Sequence, residues 1–567
     1  MIPEGATSRA LLGKLTRVLH HSAISFDRAA RDPVQAQSAR LRSVLSACRG
    51  TEQARRVRGF DRIRTARELQ DAAPVRAPDD YAEDVERILR GERNVLTRAD
   101  PTRLELTGGS SGSSKRVPVT PGLMTEFHRA LLPWLADLFR VYPGIPSGRS
   151  YWSISPMVRK TQLEAALPVG TAADSDYFPE AIAALFARMI AVPSIVARLP
   201  DIETCRYVTL RFLVEASDLT FISVWHPSFL SLLVEALRAH GDRLADDLER
   251  GTCRPPAPRS KGVTEWKARV DSVCGKLSFR SNPNRADELR RALSESPGLD
   301  AERLWPKLEL ISLWTDAHAK HFLPEARSYF PRAEFQGKGL LATEGIVSFP
   351  LLAACAPVLA VRSHFYEFAD PDRPDAWPCL AHELELGRTY EVLFSTTGGL
   401  LRYRIGDLVR VEGWYHRAPC LRFIGRADLV SDLVGEKLSA ARAGFVLSEA
   451  LRQLKPANVP RFAMLAPELA STAEYRLFVD WDAADESVQE LARLVERLLC
   501  EGSQYRYARE LGQLAPVRAV RVSEGNRKYE ARCLALGQRS GDIKPLPLHR
   551  LPGWTEALCA RAQAGNA

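Results

Sequence analysis

One glycine- and serine-rich stretch of the sequence reads Thr107-Gly108-Gly109-Ser110-Ser111-Gly112-Ser113-Ser114-Lys115. Glycine lets the backbone approach a ligand closely, and successive backbone N–H groups in such a turn form an anion-binding nest. Serine hydroxyls add donors, and the ammonium of Lys115 is a point charge suited to phosphate. The stretch therefore predicts a loop that cradles a nucleotide triphosphate, although a flexible Gly/Ser linker remains an alternative. It is not a Walker P-loop, because that motif needs Gly-Lys followed by Ser or Thr.

Length and composition indicate a soluble globular chain. Its 567 residues are 45% hydrophobic and 26% charged, which is ordinary for globular proteins, and the length favours roughly two to four domains. The net charge of +9 comes from scattered arginines, which fits an anionic small substrate. No aromatic-interleaved basic patch indicates nucleic-acid binding, and no apolar run is long enough to span a membrane. Neither nucleic acid nor membrane is expected as a partner.

The number and spacing of the cysteines indicate whether the cellular compartment is reducing or oxidising. The ten cysteines lie far apart, and none forms a C-x-x-C pair. This spacing argues against a zinc site and against a disulfide framework. The first 25 residues hold no continuous apolar core of a secretory signal. A reducing cytoplasm is therefore the expected location.

Local signals predict several elements on both sides of the loop. Asp32-Pro33 is a typical helix start, and Thr120 with Pro121 predicts an N-cap and a first helical residue. Residues 229–248 are apolar at helical spacing, with Gly251 as the expected stop. Strands are expected at residues 390–395, 408–411 and 475–481 and within the apolar run contained in 304–313, and a helix is expected at 487–499. The helix that follows Thr120 is expected to bury Leu123, Phe127, Leu131, Trp134, Leu135 and Leu138.

Three stretches beyond the loop carry groups that suit nucleotide chemistry. Thr343-Glu344-Gly345 follows a predicted strand, and a carboxylate beside a triphosphate commonly holds Mg²⁺. Asp407 closes the run 403–407, and a carboxylate at a strand end can accept hydrogen bonds from ribose hydroxyls. Lys544 lies before a proline near the C-terminus. For each stretch taken alone the plainer interpretation is favoured: an ordinary turn glutamate, a hairpin turn with paired charges, and a solvated tail lysine.

The order of these stretches is more specific than any one of them. A Gly/Ser/Lys loop, then Thr-Glu-Gly, Tyr-Arg-x-Gly-Asp, Gly-Arg-x-Asp and a late lysine resembles the order in adenylate-forming enzymes. Over residues 30–550 the chain is more closely similar to the acyl acid amido synthetases of the Gretchen Hagen family of auxin-responsive proteins. Further family-like text includes Arg58-Gly59-Phe60, Leu304-Trp305-Pro306, Phe365-Tyr366-Glu367-Phe368 and the run from Gly398 to Arg404.

The resemblance implies a fold and a set of site residues. The fold is α/β (mixed α+β), with a large N-terminal adenylation domain of sheets flanked by helices at residues 1–427. A small mobile C-terminal α+β domain follows at 428–567 and is hinged at Asp428. Glu344 matches the family's Mg²⁺-associated glutamate, and Lys544 matches the lysine that the mobile domain swings onto the acyl phosphate, so these two are the expected catalytic residues. The expected nucleotide-binding residues are Ser110, Ser111, Gly112, Ser113, Lys115, Thr343, Glu344, Gly345, Asp407 and Arg426.

Two positions depart from the family pattern. Gly108 stands where the family usually has serine before its first loop glycine, so Ser110 and Ser111 would have to supply the missing hydroxyl. Ala440 stands where the hinge motif usually closes with glutamate. These departures keep open a second hypothesis, in which the chain is a catalytically degenerate nucleotide-binding protein.

The resemblance also implies a reaction that uses ATP and Mg²⁺. A carboxylic acid attacks the α-phosphate of ATP, pyrophosphate leaves, and an acyl adenylate forms. Lys544, Mg²⁺ and the loop amides would stabilise the charge that builds on phosphorus. After the small domain rotates about Asp428, an amino acid or amine attacks the activated carbonyl and forms an amide. A thioester-forming ligase that uses coenzyme A shares the adenylation half and is the alternative within this chemistry.

Overall fold

The structure is a computed structural model of the chain. The glycine–serine loop at 107–115 and Asp428 lie outside the residues that it describes. The described residues are 6–106, 116–153, 167, 169–170, 189–258, 263–294, 301–373, 375–427, 430–434, 436–469, 473–536, 538 and 543–559.

Helices are spread along the whole chain, and none of those described is both long and apolar enough to cross a membrane. The helices are α1 (Ala6–Arg31), α2 (Pro33–Cys48), α3 (Glu52–Arg56), α4 (Ala66–Ala72), α5 (Ala82–Leu89), α6 (Pro121–Val141), α7 (Ile202–Glu215), α8 (Pro227–Arg250), α9 (Val263–Cys274), α10 (Pro283–Ser294), α11 (Ala301–Leu304), α12 (Leu323–Tyr329), α13 (Ala440–Leu454), α14 (Asp485–Leu499), α15 (Ser503–Glu510), α16 (Gly525–Ala535) and α17 (Trp554–Cys559).

Strands form several sheets of different size. The strands are β1 (Arg103–Leu106), β2 (Arg116–Val119), β3 (Arg149–Trp152), β4 (Val169–Gly170), β5 (Leu219–Ser223), β6 (Leu310–Leu313), β7 (Glu334–Gly337), β8 (Leu341–Ala342), β9 (Gly345–Ile346), β10 (Ser348–Phe349), β11 (Val358–Leu359), β12 (Phe365–Ala369), β13 (Thr389–Ser395), β14 (Tyr403–Tyr415), β15 (Ala418–Arg426), β16 (Val430–Ser431), β17 (Leu438–Ser439), β18 (Phe462–Leu469), β19 (Ala473–Asp480) and β20 (Arg518–Arg521).

Two sheets organise the part of the chain before residue 427. Within the described residues one sheet is parallel, with strand order β3-β5-β6-β7. The other is antiparallel, with order β10-β11-β15-β14-β13-β12. Helix α6 joins them, because Phe127 and Trp134 on α6 share one core with Phe221 of the parallel sheet and Tyr390 of the antiparallel sheet. The mixed α/β fold predicted from the sequence is confirmed.

Side-chain alternation decides what covers each face of the parallel sheet. Successive residues of a strand point to opposite faces. Phe221 and Leu310 therefore belong to the core that contains α6, whereas their neighbours Ile222 and Ile311 belong to a second core with α7 and α8. The α6 face is the one that reaches the candidate site.

The segment after residue 436 builds cores of its own. Strands β18 and β19 pair antiparallel, and β19 pairs parallel with β20. One core cluster runs from Leu438 to Leu548 and includes α13 and α14, and another runs from Phe462 to Leu558. Among the residues that the structure describes, the buried members of both clusters all come from this segment.

This C-terminal segment touches the earlier part through a buried ion pair. Arg206 of α7 donates to Glu530 of α16 at 3.0 Å, and both side chains are less than a tenth exposed. Arg206 also pairs with Glu203 at 3.2 Å, so its guanidinium faces carboxylates from both parts of the chain.

Local capping explains where the predicted helices begin and end. The Asp32 side chain accepts from Gln35 N at 3.0 Å, and Thr120 Oγ1 accepts from Leu123 N at 3.2 Å, so both predicted N-caps are confirmed. Gly251 ends α8 in the left-handed region with φ 66°, as glycine allows. All six residues expected on the inner face of α6 are buried.

The expected strands are present with shifted bounds. Residues 390–395 lie in β13, 408–411 in β14 and 475–480 in β19. The range 304–313 contains a strand as expected, because β6 occupies its last four residues, while α11 ends at Leu304.

Candidate active site

Glu344 lies in the turn of a short hairpin. Strands β8 and β9 pair antiparallel, with Ala342 opposite Gly345, so Thr343 and Glu344 form the turn. The Tyr403 hydroxyl donates to Glu344 Oε1 at 3.1 Å, and the Glu344 side chain is largely buried. Burial, with the Glu344 carboxylate as the next cause, raises the pKa of Tyr403. Tyr403 therefore stays protonated and donates to the carboxylate.

A buried polar network holds this hairpin in place. His364 Nε2 accepts from Ile346 N at 3.1 Å, so Nδ1 carries the proton and donates to Glu126 Oε2 at 3.1 Å. A Cβ added at Gly345 would lie 2.9 Å from His364 Nε2. Glycine is therefore needed here for close packing, and the predicted Thr-Glu-Gly turn has a structural reason for its last residue.

Asp407 and Arg426 face each other across the β14–β15 pair. They are register partners, and Arg426 Nη1 lies 3.2 Å from Asp407 Oδ1. Arg426 Nη2 also donates to the carbonyl oxygen of Ile405 at 2.9 Å. Asp407 is buried, whereas Arg426 is partly exposed. The ion pair fixes the carboxylate on the fifth residue of β14, which begins with Tyr403 and continues to Tyr415, so Asp407 lies within a strand and not at the expected strand end.

The structure thus brings four groups into one region. Glu344 bonds to Tyr403, Tyr403 and Asp407 share β14, and Arg426 pairs with Asp407. The charge on Arg426 also acts on the Tyr403 hydroxyl, where it opposes the rise in pKa. The run from Tyr403 to Asp407 and the Thr-Glu-Gly turn are therefore neighbours in space, although they are far apart along the chain.

A second group of residues lies where the parallel strands end. Lys338 directly follows β7, is buried, and donates from Nζ to Ser223 Oγ at 2.7 Å. Its Nζ lies 5.0, 5.8 and 6.0 Å from the ring centres of Trp225, Trp134 and Trp152. We call these four side chains the tryptophan–lysine cluster.

Lys544 rests on the edge of this cluster. Its Nζ lies 3.5 Å from the ring centre of Trp314, which packs 5.2 Å from Trp225. The nearby His226 is buried, and its Nδ1 accepts from Ser228 N at 3.2 Å. Burial, and then the charge of Lys544, lowers the pKa of His226 to about 3. In this structure the expected catalytic lysine therefore contacts the aromatic end of the site.

The carboxylates of this region suit one kind of metal binding. The described residues contain no group of three or more His, Cys, Asp or Glu side chains that would hold a metal by itself. Mg²⁺ on a nucleotide needs less, since it commonly takes one or two carboxylates and completes its shell with phosphates and water. Glu344 is a single carboxylate of that kind, so the residues fit a nucleotide-borne Mg²⁺ and do not fit an independent metal site.

Some predicted site residues fall outside what the structure describes. These are Ser110, Ser111, Gly112, Ser113 and Lys115 of the glycine–serine loop, and Asp428 at the expected hinge. The strands on either side of the loop are described, with β1 and β2 paired antiparallel from Arg103–Val119 to Leu106–Arg116. The loop therefore connects two adjacent strands, and its role in binding phosphate stays a prediction.

Sequence reasoning missed the tryptophan–lysine cluster and Trp314. Trp134 lies on α6, Trp152 lies on β3, and Trp225 lies in the connection after β5. Lys338 belongs to no motif that the sequence alone would single out. One signal was available: Ser223, Leu313 and Gly337 end three parallel strands, and ligands of open parallel sheets bind outside the carboxyl ends of the strands.

The architecture defines the class of protein. The AtGH3.15 acyl acid amido synthetase in complex with 2,4-DB matches it with a TM-score of 0.79 at 19% identity, over 97% of this chain and 95% of that chain. A second structure, the GH3.15 acyl acid amido synthetase, matches with a TM-score of 0.77 at 20% identity, over 94% of this chain and 93% of that chain. These likenesses assign the fold of an acyl acid amido synthetase.

The chain belongs to the GH3 family. Residues 23–335 match the GH3 family N-terminal domain, and residues 357–426 match the GH3 family central domain. This is the family that the order of short stretches indicated, so the resemblance is confirmed.

Curated relatives include plant and human proteins. The probable indole-3-acetic acid-amido synthetase GH3.12 of Oryza sativa subsp. japonica is 25% identical over 453 residues, which are 73% of this chain and 72% of that protein. The indole-3-acetic acid-amido synthetase GH3.17 of Arabidopsis thaliana is 24% identical over 70% of each chain. A human GH3 domain-containing protein is 27% identical over 52% of this chain and 58% of its own length.

Proposed function

We propose that the chain is an ATP-dependent, AMP-forming ligase that adenylates a small carboxylic acid and transfers the acyl group to an amino acid or amine. The observation that carries the proposal is the grouping of Glu344, Tyr403, Asp407 and Arg426 in a chain of the GH3 family. Relatives named as amido synthetases align over more than two thirds of this chain. The amide-forming reaction is therefore favoured over the thioester-forming one and over a degenerate nucleotide-binding protein.

Each residue of the group has a role in this proposal. The Asp407 carboxylate, held by Arg426, accepts hydrogen bonds from the ribose hydroxyls of ATP. Glu344, held by Tyr403, would hold Mg²⁺, which when bound would supply positive charge to the phosphates. Thr343 and Gly345 shape the turn that presents Glu344. The glycine–serine loop, with Ser110, Ser111, Gly112, Ser113 and Lys115, cradles the phosphates.

The remaining part of the proposal concerns motion. Residues 1–427 would form the adenylation domain and 428–567 a mobile domain hinged at Asp428. The separate cores of the segment after residue 436 support this division. Lys544, now on Trp314, would reach the reacting phosphate in another orientation of the mobile domain. A cytoplasmic location belongs to the same proposal, since ATP is the substrate.

A half-reaction assay tests the proposal. A panel of carboxylic acids is incubated with the purified chain, ATP and Mg²⁺, and pyrophosphate release is measured for each acid. Active acids are then offered amino acids, simple amines or coenzyme A. The expected result is acid-dependent pyrophosphate release followed by an amide product. Consumption of the adenylate by coenzyme A alone would reverse the assignment in favour of a thioester ligase.

A further inference from the structure

One side of α2 carries a groove of about 620 Å³ that is lined by three arginines. Arg40 and Arg42 belong to α2, and Arg98 belongs to the connection that follows α5. Ala39 and Ala47 leave this side of the helix low, because their side chains are short. None of the described residues that line the groove is acidic or aromatic. The volume lies within the range of about 300–1,000 Å³ that small-molecule sites occupy.

The two sides of the groove are joined at the carbonyl oxygen of Ala47. Arg98 N donates to this oxygen at 3.0 Å. Thr97 Oγ1 lies within hydrogen-bond distance of the carbonyl oxygens of Ala47 and Thr397, at 3.2 and 3.1 Å. The backbone of Arg98 is therefore fixed beside the last turns of α2, and the groove is a defined part of the fold.

The arginines of the groove have no carboxylate of their own. Across the part of the chain that the structure describes, no ion pair or side-chain hydrogen bond holds Arg40, Arg42 or Arg98. Nη1 of Arg40 is shielded from water and has no hydrogen-bond partner there either. A guanidinium carries five N–H donors, and a charged donor that finds neither water nor a partner is unfavourable. The groove therefore has unused capacity to bind an anion.

The arginines in and beside the groove also repel one another. Burial lowers the pKa of Arg40; Glu126 opposes this change, and the charge of Arg42 adds to it. Burial, and then the charge of Arg40, lowers the pKa of Arg362. Both carboxylate oxygens of Glu126 already accept from Thr397 N at 3.1 Å. All these guanidinium groups stay protonated, so an anion in the groove would relieve the repulsion between them.

Phosphate groups suit this set of donors. The planar fork of a guanidinium binds two phosphate oxygens at once. Three guanidinium groups match a ligand that carries several negative charges, such as a chain of phosphates. Single-stranded nucleic acid also carries phosphates, but proteins bind it by stacking its bases on aromatic side chains, and the lining holds none. A small phosphorylated molecule is therefore favoured over RNA.

We propose that the groove formed by Arg40, Arg42 and Arg98 binds a small molecule that carries a di- or triphosphate group, at a site separate from the candidate active site. The phosphate oxygens pair with the guanidinium groups. None of the described residues that line the groove belongs to the hairpin of Glu344 or to the β14–β15 pair. The groove is independent of the proposed function, because a chain without ligase activity would still have it.

Isothermal titration with inorganic tripolyphosphate, in the absence of ATP and acid, tests the site. Tripolyphosphate should bind more tightly than pyrophosphate, and orthophosphate least, because each phosphate adds charge for the arginines. The double variant Arg42→Gln/Arg98→Gln changes two exposed side chains. It should bind tripolyphosphate about 100-fold more weakly, roughly 10-fold for each charged partner lost. No binding to the wild-type chain, or the same affinity and stoichiometry in both proteins, overturns the proposal.

Polyphosphate held by the glycine–serine loop would persist in the double variant, so only the binding that the double variant loses is assigned to the groove. Arg40→Met should also weaken that binding by about 10-fold, and Arg40→Lys, which keeps the charge but not the fork, by less. Thermal unfolding shows whether Arg40→Met is folded. Arg493→Gln is the control, since Arg493 is exposed on α14 and pairs with Glu490. An equal loss in this control would show non-specific attraction to a basic chain and overturn the proposal.

Pyrophosphate release separates the groove from the active site. The double variant should keep the wild-type rate of acid-dependent release. A parallel loss of tripolyphosphate binding and of release would make the groove part of the active site and overturn the proposal of a separate site. A wild-type chain that releases no pyrophosphate with any acid, but binds tripolyphosphate through these arginines, would remove the proposed function and keep the groove.

A single-stranded oligoribonucleotide is the competing ligand. It should bind more weakly than tripolyphosphate. Tighter binding of the oligoribonucleotide, lost in the double variant Arg42→Gln/Arg98→Gln, would show that the groove holds a nucleic-acid backbone and would overturn the small-molecule assignment.

Discussion

Two groups of side chains in the candidate active site are built in different ways. At the proposed nucleotide end, Glu344 and Asp407 are carboxylates on two hairpins, and Tyr403 and Arg426 hold them. In the tryptophan–lysine cluster, indole rings from separate elements surround Lys338. The first group comes from short continuous stretches of sequence, whereas the second is assembled by tertiary packing.

The largest expected effect comes from Lys544. Its ammonium lies over the Trp314 ring in this structure, but we propose that it acts at the reacting phosphate. Lys544→Ala should reduce acid-dependent pyrophosphate exchange by about 10²–10³-fold, the scale of losing one preorganised donor. The same variant, given a synthetic acyl adenylate and the amine, should form amide at nearly the wild-type rate. Both half-reactions are measured on both proteins.

A matched control for Lys544 is Lys528→Ala on the same C-terminal segment, whose Nζ donates to the Leu558 carbonyl oxygen. It should not separate the two half-reactions. Equal losses in both half-reactions of Lys544→Ala would mean that the lysine supports folding or closure, and no loss in either would make it a solvated tail charge.

At the nucleotide end, Asp407→Asn should weaken ATP binding by about 10- to 150-fold. The physical reason is the loss of charge-assisted hydrogen bonds to ribose, worth about 1.5–3 kcal/mol. Isothermal titration with a non-hydrolysable ATP analogue gives the affinity. Glu412→Gln, on the same strand and paired with Arg410, is the control and should bind the analogue as wild type does. Unchanged affinity in Asp407→Asn would remove the ribose assignment.

A somewhat smaller effect is expected for Glu344→Gln, which keeps the hydrogen bond from Tyr403 but loses the charge. The concentration of Mg²⁺ that half-saturates pyrophosphate release should rise by about 10- to 100-fold. Turnover is measured across a Mg²⁺ series at saturating ATP and acid. A variant with the wild-type Mg²⁺ curve would show that this carboxylate has only a structural role in the hairpin.

The smallest expected effect concerns stability in acid, and it tests how well His226, near the tryptophan–lysine cluster, is shielded from water. His226 has its pKa lowered from 6.5 to about 3 by burial and then by Lys544. Below pH 6.5 the His226 side chain becomes protonated in the unfolded chain but stays neutral in the folded chain. The free energy of unfolding should therefore fall as the pH drops from about 6.5 toward 3.

His226→Asn keeps an acceptor for Ser228 N and removes the proton uptake, so its unfolding free energy should depend less steeply on pH. Urea unfolding at pH 7, 6 and 5 measures the slope, which for one group is at most about 1.4 kcal/mol per pH unit. His382→Asn, at an exposed position, should keep the wild-type slope. Equal slopes in all three proteins would show that His226 is not shielded from water.

What the sequence could predict follows the same division between the proposed nucleotide end and the tryptophan–lysine cluster. Asp32 and Thr120 cap helices as expected, because a cap depends on residues three positions away. The family and the closeness of Glu344 to the Asp407 strand were also within reach, since short continuous stretches carry them. The tryptophan–lysine cluster was not, because a single tryptophan or lysine has no local pattern that predicts its tertiary neighbours. The glycine–serine loop stays a prediction.

The buried pair between Arg206 and Glu530 has a consequence for how this sequence can change over time. The two residues are 324 positions apart, yet each is buried against the other. A substitution that neutralises either residue removes one opposite charge from beside the buried residue that remains, whereas replacing both with apolar residues of similar volume can be neutral. In an alignment of close relatives, the two columns should therefore vary together: both charged, or both uncharged. A lineage that lost only one charge should carry a new partner nearby.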